Sequence, residues 1–246
     1  MAASKWPPYS SLPHIAPDGT VSEPLSGRFS VECRPDEGGE GIQRAIRDCE
    51  VGGSLLLTAG VYSLKQPLFL RRRVHLFGGG MAELHGEISR ASGSCWDTII
   101  SSSSATLDRV RITDQPLVNS LAAADTICVT SGHLLLQGCD ISSCGHKDAA
   151  LRVSGPSTVA DVLRCTLSGS TSFDEGATGR VEDCDIQGEG GIGIAVYNAA
   201  GTSPFVSRCM IRDCSVGVSI NNGTPSPGPL AASVSNVFLN CGEDVV

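Results

Sequence analysis

One short phrase recurs along this chain: an apolar or cysteine lead residue, one variable residue, and then Ile, Leu or Phe. The spacing between lead residues varies from 19 to 36 residues, so the repeat has no fixed period. The seven rows are led by Val74, Val110, Cys139, Cys165, Cys184, Cys209 and Val237. A further apolar residue stands three places before the lead in the last six rows, at Leu107, Leu136, Val162, Val181, Val206 and Val234. This self-similarity is typical of a repeat protein.

The repeat unit is built from short strands. Each phrase alternates with period two and is bounded by turn residues such as Gly169, Gly188 and Asp213. Helical repeats carry helix formers in every unit, whereas Gly, Ser, Thr and Pro fill these spacers. A second apolar phrase follows in most turns, for example at 150–153 and 193–196. The pattern predicts an all-β fold, a single-stranded right-handed parallel β-helix in which the lead residues stack as one internal column.

The first part of the chain differs from the coil. Residues 1–30 contain five prolines and no periodicity, which predicts an extended or partly disordered segment. Residues 31–246 are predicted to form the β-helix domain. A capping helix is expected near 40–50, because Ile42, Ala45, Ile46 and Cys49 share one helical face. No cap follows the last row, so we expect that the tail folds back over this end, that another subunit covers it through self-association, or that the chain is part of a longer protein.

Charge and hydropathy exclude some classes of partner. The formal net charge is −8, which argues against nucleic acid, because phosphate contacts require clustered Lys and Arg. The N-terminus lacks the apolar core of a secretory signal, and no apolar run reaches the roughly 18 residues of a membrane span. We therefore predict a cytoplasmic or nuclear protein that does not bind membranes.

Eleven cysteines occur in the chain. Their odd number and the missing export signal argue against a disulfide framework. Four of them lead rows of the repeat, so we expect stacked free thiols that pack as small hydrophobic groups. Zinc is the alternative for Cys139, Cys144 and Cys165, although no second close pair completes a ligand set. No cofactor is indicated.

Charged residues beside the cysteine rows are the candidates for a site. Asp183 and Asp185 flank one lead cysteine, and Asp140 stands in register with Asp185. Carboxylates on successive turns of an exposed sheet can converge on a sugar, so one interpretation is a catalytic cluster of Asp183, Asp185, Arg164 and Arg208. The alternating charges also suit a solvated strand face that binds a partner. The binding residues are then Asp140, Arg164, Asp183, Asp185, Arg208, Asn221 and Asn222.

Four segments resemble known β-helix proteins. Residues 41–62, with GIQRAIRDC and GSLLLTAGVY, and residues 74–79, with VHLFGG, are similar to the opening of the pectin-lyase-like β-helix superfamily. The rows at 131–141 and 160–167 are similar to the cysteine-bearing repeats of intracellular β-helix proteins, such as the F-box-only substrate adaptors and the SHC-binding, spindle-associated protein. The resemblance implies a β-helix that holds protein partners without catalysing a reaction.

The sequence and the resemblance together favour a non-enzymatic intracellular scaffold that binds a protein partner. The alternative is a carbohydrate-active enzyme, either a polysaccharide lyase or a glycoside hydrolase, that uses the acidic cluster. Few aromatic residues are present to stack on sugars, and Trp96 and Tyr197 are the candidates near the coil.

Overall fold

The chain forms a three-sided parallel coil. The computed structural model describes residues 14–15, 21–22, 29–88, 97–114, 125–143, 149–197, 201–221 and 236–245. Apart from one short antiparallel pair, β1 (His14–Ile15) with β2 (Val21–Ser22), all strand pairs in this part of the chain are parallel. The right-handed parallel β-helix predicted from the repeat is confirmed.

Each turn of the coil contributes one strand to each of three faces, here called A, B and C. Two long strands, β7 (Val74–Gly86) and β9 (Ala105–Asp114), run through the corner from face A to face B. The other strands of face A are β3 (Val31–Cys33), β4 (Gly53–Leu57), β11 (His133–Gln137), β14 (Val159–Leu163), β17 (Thr178–Glu182) and β20 (Ser203–Ser207). Face B adds β5 (Gly60–Leu64), β12 (Asp140–Ser142), β15 (Thr166–Ser168), β18 (Asp185–Gln187), β21 (Met210–Arg212) and β23 (Val237–Leu239).

Face C is a continuous sheet of eight strands in the described part of the chain. In chain order they are β6 (Leu68–Leu70), β8 (Ile99–Ser101), β10 (Ile127–Val129), β13 (Ala149–Ser154), β16 (Ser170–Asp174), β19 (Ile192–Tyr197), β22 (Val216–Asn221) and β24 (Glu243–Val245). The register shifts between Ala149 and Leu151, where β13 pairs with β16. This irregularity lies in the middle of the face.

The core is made of columns of identical positions. On face B, Ile141, Leu167, Ile186 and Ile211 pair in register and are fully buried. On face A, a second aliphatic column consists of the apolar residues that precede each lead, Leu107, Leu136, Val162, Val181 and Val206. Each strand is only a few residues long, so its stability comes from this stacking and from hydrogen bonds to the turns on either side.

Five of the seven rows stack as predicted, and two do not. Val74 pairs with Ala105 on face A, whereas the next predicted lead, Val110, pairs with Ala82 on face B. Val237 pairs with Met210, so the residue in register with Cys209 is Asn236. The internal column therefore runs through Val110 and the four cysteines and ends at Asn236, whose side-chain oxygen accepts a hydrogen bond from the Cys209 amide at 2.9 Å.

The corner between faces A and B is a single residue in the left-handed region. Arg164, Asp183 and Arg208 have φ values of 55°, 55° and 53°, and Gly138 occupies the same position with φ 60°. A non-glycine residue pays a steric cost there. The parallel ladder continues on both sides of the corner, for example from the Arg164 amide to the Glu182 carbonyl at 2.9 Å, and this pairing holds the conformation.

The four row-leading cysteines are buried free thiols. Three of them donate to carbonyl oxygens of the preceding turn: Cys139 to Leu107 at 3.3 Å, Cys184 to Val162 at 3.4 Å and Cys209 to Val181 at 3.3 Å. Cys165 donates to the Leu163 carbonyl of its own turn at 3.4 Å. Burial raises the pKa of the Cys165 thiol well above its usual value. A cysteine at this position is small enough for the column and still satisfies a backbone group, which explains its recurrence.

The predicted capping helix is confirmed as α1 (Gly38–Asp48), which follows a short 3-10 turn at Pro35–Glu37. Its buried residues, including Ile42, Ala45 and Ile46, cover the first turn of the core. Gln43 pairs with the open edge of β6, because its side-chain oxygen accepts from the Phe69 amide at 2.8 Å and its nitrogen donates to the Phe69 carbonyl at 3.1 Å. The helix therefore covers both the apolar end and an unpaired strand edge.

Close stacking predicts an unequal effect of two glycine substitutions. Gly179 in β17 has φ +147°, and an added Cβ would collide with the Ala160 carbonyl of the previous turn. Gly190 has φ +81°, but a Cβ there meets nothing within 4 Å. We expect Gly179→Ala to lower the free energy of unfolding by about 3 kcal/mol or more, and Gly190→Ala by about 1 kcal/mol. Urea unfolding of both variants measures the difference, and equal losses would contradict the stacking described here.

Candidate functional site

The predicted acidic cluster lies along the A–B corner and face B as separate ion pairs. Asp183 at the corner accepts two hydrogen bonds from Arg208 of the next turn, at 2.7 Å and 3.0 Å. Arg208 also donates to Glu182 at 3.2 Å. The hydrogen bond from Arg208 holds the pKa of Asp183 below its usual value. This carboxylate stays ionised, which does not suit a general acid.

Asp185 and Asp140 point outward from face B and have their own arginines. Arg212 donates to Asp185 at 2.8 Å and 3.3 Å, and Arg111 donates to Asp140 at 3.1 Å. The register Asp140, Thr166, Asp185 is as predicted. Each carboxylate is paired with an arginine from a neighbouring turn, which is how an exposed strand face avoids repulsion between like charges.

The structure divides the predicted binding residues among three places. Arg164 lies at the corner beside Asp183, where its charge also helps to lower the pKa of that carboxyl group. Asn221 is exposed at the end of β22 on face C. Asn222 lies outside the described residues, as does Trp96. The predicted residues therefore do not form one pocket.

A buried charged group on face A was not predicted. Asp161, whose side chain is 10% exposed, accepts two hydrogen bonds from Arg180 at 2.8 Å and 3.2 Å and contacts His133 Nε2 at 3.1 Å. Burial alone would raise the pKa of Asp161, but the hydrogen bonds from His133 and Arg180 outweigh it and lower the pKa to about 2. All its oxygens are occupied by protein groups, so it stabilises the coil and is not open to a substrate.

A second unpredicted group lies on face C. The Arg152 guanidinium stands between Asp125 of the preceding turn, at 3.9 Å, and Asp174 of the following turn, at 3.6 Å. The arginine side chain is 47% exposed, whereas the two carboxylates are only 13% and 12% exposed. These contacts are too long for hydrogen bonds, and among the described residues Arg152 donates none.

Around Arg152, face C presents rows of small and polar side chains that run along the coil axis. The central row pairs in register through Cys128, Arg152, Ser172, Ala195 and Ser219. Beside it, Ser154 pairs with Asp174 of the next turn, and further along the coil Tyr197 pairs with Asn221 of the turn that follows it. Arg152 is the exposed residue of this row, Cys128 and Ser219 are partly buried, and Ser172 and Ala195 are only 8% and 2% exposed.

Three other observations define the limits of the site. In the part of the chain that the structure describes, no three His, Cys, Asp or Glu side chains are grouped so that they could hold a metal ion. A cleft of about 610 Å³ lies away from the charged faces, between α1 and the first turn, and is lined by Glu37, Gln43 and Lys65 among others. Within the described ranges, no helix is long and apolar enough to cross a membrane.

The fold places the chain in a known family. The family model described as "Right handed beta helix region" matches residues 98–243. The chain belongs to this family. A search of curated proteins finds no match by sequence.

Two solved structures show how this β-helix compares with larger proteins. A PL6 family alginate lyase matches with a TM-score of 0.53 and 11% identity over 89% of this chain, and a pectin methylesterase in complex with a hexasaccharide matches with a TM-score of 0.58 and 16% identity over 89%. The chain spans 40% of the length of the lyase and 81% of the length of the esterase. At this level of identity the likeness shows the fold alone.

These comparisons correct the functional prediction. A non-enzymatic intracellular scaffold was expected, but the solved structures that the β-helix resembles are carbohydrate-active enzymes. The scaffold prediction is wrong, and the alternative is the better supported interpretation. The cysteine-bearing rows suggested an intracellular adaptor, yet their thiols are explained by packing inside the coil, which is independent of function.

The Asp161 group predicts a specific acid sensitivity. The pKa of Asp161 lies below its unfolded value, so its contribution to stability is present above about pH 4 and is lost as the pH falls towards 2. We expect Asp161→Asn to lower the free energy of unfolding by about 2 kcal/mol at neutral pH and by progressively less below pH 4. Urea titrations from pH 7 to pH 2 measure this difference. Asp183→Asn at the exposed corner is the control, and its expected loss of unfolding free energy is under about 1 kcal/mol. An equal loss in both variants would contradict a specific stabilising role of Asp161.

Proposed function

We propose that this β-helix is the substrate-binding region of a carbohydrate-active enzyme that acts on an acidic, uronate-containing polysaccharide, and that the substrate binds at Arg152 on face C. The observation that carries the proposal is Arg152, an exposed guanidinium held between two largely buried carboxylates with its hydrogen-bond donors free of described partners. A planar guanidinium recognises a carboxylate through two parallel hydrogen bonds. The names of the two solved neighbours support the substrate class, since alginate and pectin are both acidic polysaccharides.

Arg152 differs from Arg180, Arg208 and Arg212 in how its ion pairs are made. Arg180, Arg208 and Arg212 each donate two hydrogen bonds to one aspartate of the previous turn, so their charge and geometry are already used. Asp125 and Asp174 balance the charge of Arg152, but neither is close enough to accept a hydrogen bond from it. Its side chain is therefore oriented before the substrate arrives, which reduces the entropy cost of binding.

The chemistry follows from this arrangement. Bound to a uronate carboxylate, or to the carbonyl oxygen of a uronate ester, Arg152 stabilises the negative charge that develops there in the transition state. In an elimination this charge forms when the proton next to the carboxyl group is removed. In ester hydrolysis it forms on the carbonyl oxygen. Asp125 and Asp174 are the carboxylates placed to act as base or nucleophile on either route.

The remaining contacts of a sugar chain would be made along the same face. Tyr197 and Asn221 pair with one another one turn apart and lie on the C-terminal side of Asp174. A tyrosine ring can stack on the apolar side of a sugar, and an amide side chain can hydrogen-bond its hydroxyl groups. Asn221 thus keeps a predicted binding role, with a different set of neighbours.

Two finer predictions from the sequence accompany this proposal. The cysteine-bearing rows resemble the intracellular type of β-helix repeat, and the free thiols of the described residues fit a reducing compartment. Cytoplasmic or nuclear localisation therefore stays a prediction. It is compatible with an enzyme that meets its polysaccharide or oligosaccharide inside the cell.

Substitution of Arg152 tests the proposal. Purified protein is assayed on polygalacturonate, methyl-esterified pectin and alginate, with ultraviolet absorbance of unsaturated uronate reporting elimination and released methanol reporting ester hydrolysis. On whichever polymer is cleaved, we expect Arg152→Ala to lower kcat/KM by about 10²-fold or more, because it removes a donor to the developing charge. Arg208→Ala, the matched ion-paired arginine at the corner, should stay within about threefold of the parent.

The same experiment can contradict the proposal in two ways. No turnover of any acidic polymer, together with no binding of its oligosaccharides in calorimetry, would remove the assigned function. Equal losses of kcat/KM in Arg152→Ala and Arg208→Ala would contradict the placement of the site at Arg152 on face C. Circular dichroism of both variants establishes that each is folded before activity is compared.

A further inference from the structure

The corrected register of the last turn brings two cysteines together. Because Asn236 is the residue in register with Cys209, the residue in register with Cys214 is Cys241. Hydrogen bonds on either side support this pairing: the Asp213 amide donates to the Leu239 carbonyl at 3.0 Å, and the Gly242 amide donates to the Cys214 carbonyl at 3.1 Å. The two cysteines occupy the same position on successive turns, at the corner between faces B and C.

Their side chains point to the same side of the strand. The Cys214 thiol donates to the Arg212 carbonyl at 3.0 Å, and the Cys241 thiol donates to the carbonyls of Ile211 and Leu239 at 3.6 Å. Neighbouring parallel strands lie about 4.8 Å apart, which is within the Cα separation of about 4.4–6.8 Å that a disulfide spans.

The two thiols differ in access. Cys214 is buried, whereas Cys241 is partly exposed. The row-leading cysteines lie inside the coil, where an oxidant in solution cannot reach them. In this pair, a partly exposed thiol lies in register with a buried thiol of the neighbouring turn.

We propose that Cys214 and Cys241 form a reversible disulfide that fastens the last described turn, residues 236–245, to the coil. The Cys241 thiolate attacks a small oxidised disulfide such as oxidised glutathione, forming a mixed disulfide and releasing one reduced thiolate. The Cys214 thiolate then attacks the Cys241 sulfur, forms the protein disulfide and releases the second reduced thiol. The two protein thiols lose two electrons and two protons, which the two released thiols carry away.

The expected consequence is a more stable end of the coil. The last turn is held by Phe238, which packs against the core, while Val237 and Leu239 are half exposed. A bond between residues 214 and 241 restricts the unfolded chain between them and prevents this turn from separating. Burial and the neighbouring Cys241 thiol raise the pKa of Cys214 to about 11, so the second step should accelerate as the pH rises.

Peptide mapping tests the bond directly. Native protein is incubated with oxidised glutathione, its remaining thiols are blocked with N-ethylmaleimide, and it is denatured and digested. Residues 213–246 contain no Lys or Arg and only these two cysteines, so trypsin leaves both in one peptide. We expect this peptide unlabelled and two hydrogens lighter. Chymotryptic cleavage after Phe238 or Leu239 should then leave two fragments that separate only on reduction.

Two variants connect the bond with the stability of the last turn. Oxidation should raise the midpoint of thermal unfolding of the parent by roughly 5–10 °C and slow hydrogen exchange at the amides of Val237, Gly242 and Glu243, which donate to the previous turn. Cys241→Ser should abolish both effects, and Cys128→Ser, which alters another partly exposed thiol, should keep them. Three outcomes would overturn the proposal. They are labelling of both thiols, a glutathione adduct on Cys241 without a link to Cys214, and loss of the thermal stabilisation in Cys128→Ser. None of these readouts depends on enzymatic activity.

Discussion

The register of the parallel ladder is the constraint on which the rest of this structure depends. Neighbouring turns lie about 4.8 Å apart, so each position in one turn is placed directly on its equivalent in the next. Aliphatic residues therefore form continuous columns, cysteines form another, and outward charges meet residues of opposite sign. A shift of one residue would turn a core column outward and bring its polar neighbours inside, which explains why the same small phrase is kept despite variable loops. The loops can vary because they lie outside the ladder.

Much of the fold could be predicted from the sequence, because one phrase that alternates with period two has few ways to bury its apolar side. The aliphatic residues three places before each lead, the internal cysteines and the capping helix follow from that argument. The row led by Val74 was assigned to the wrong face because strands of faces A and B carry the same alternation. The row led by Val237 lies on face B but is one residue out of register, since Val237 pairs with Met210. Which face a strand belongs to depends on the corner residue, and a left-handed corner is occupied here by Arg, Asp or Gly, which have no common sequence signal.

The charged groups were harder to predict than the core. Pairs such as Asp183 with Arg208 follow once the register is known, since the two residues are equivalent on adjacent turns. The Asp161 group was missed because His133 reaches it diagonally from another position of the previous strand. Arg152 was missed because its partners are offset from it along the chain: Asp125 precedes β10, and Asp174 is the last residue of β16. In addition, β13 carries the register shift that moves the face C residues relative to a simple repeat. The functional prediction failed because the recurring cysteines were interpreted as a sign of the protein's role, whereas their burial in the core explains why they recur.

Which charges of a β-helix can act on a ligand is decided by how their hydrogen bonds are used. A coil of this kind produces rows of exposed charges on every face, so a cluster of carboxylates and arginines is not by itself evidence of a site. Arg180, Arg208 and Arg212 already donate to carboxylates, and a substrate would have to replace those bonds at a cost in free energy. Arg152 has opposite charges on both sides at distances that balance its charge without using its donors. A uronate carboxylate that binds there gains hydrogen bonds without breaking any of those described, and this difference, rather than the number of charges, distinguishes face C from the corner that the sequence first indicated.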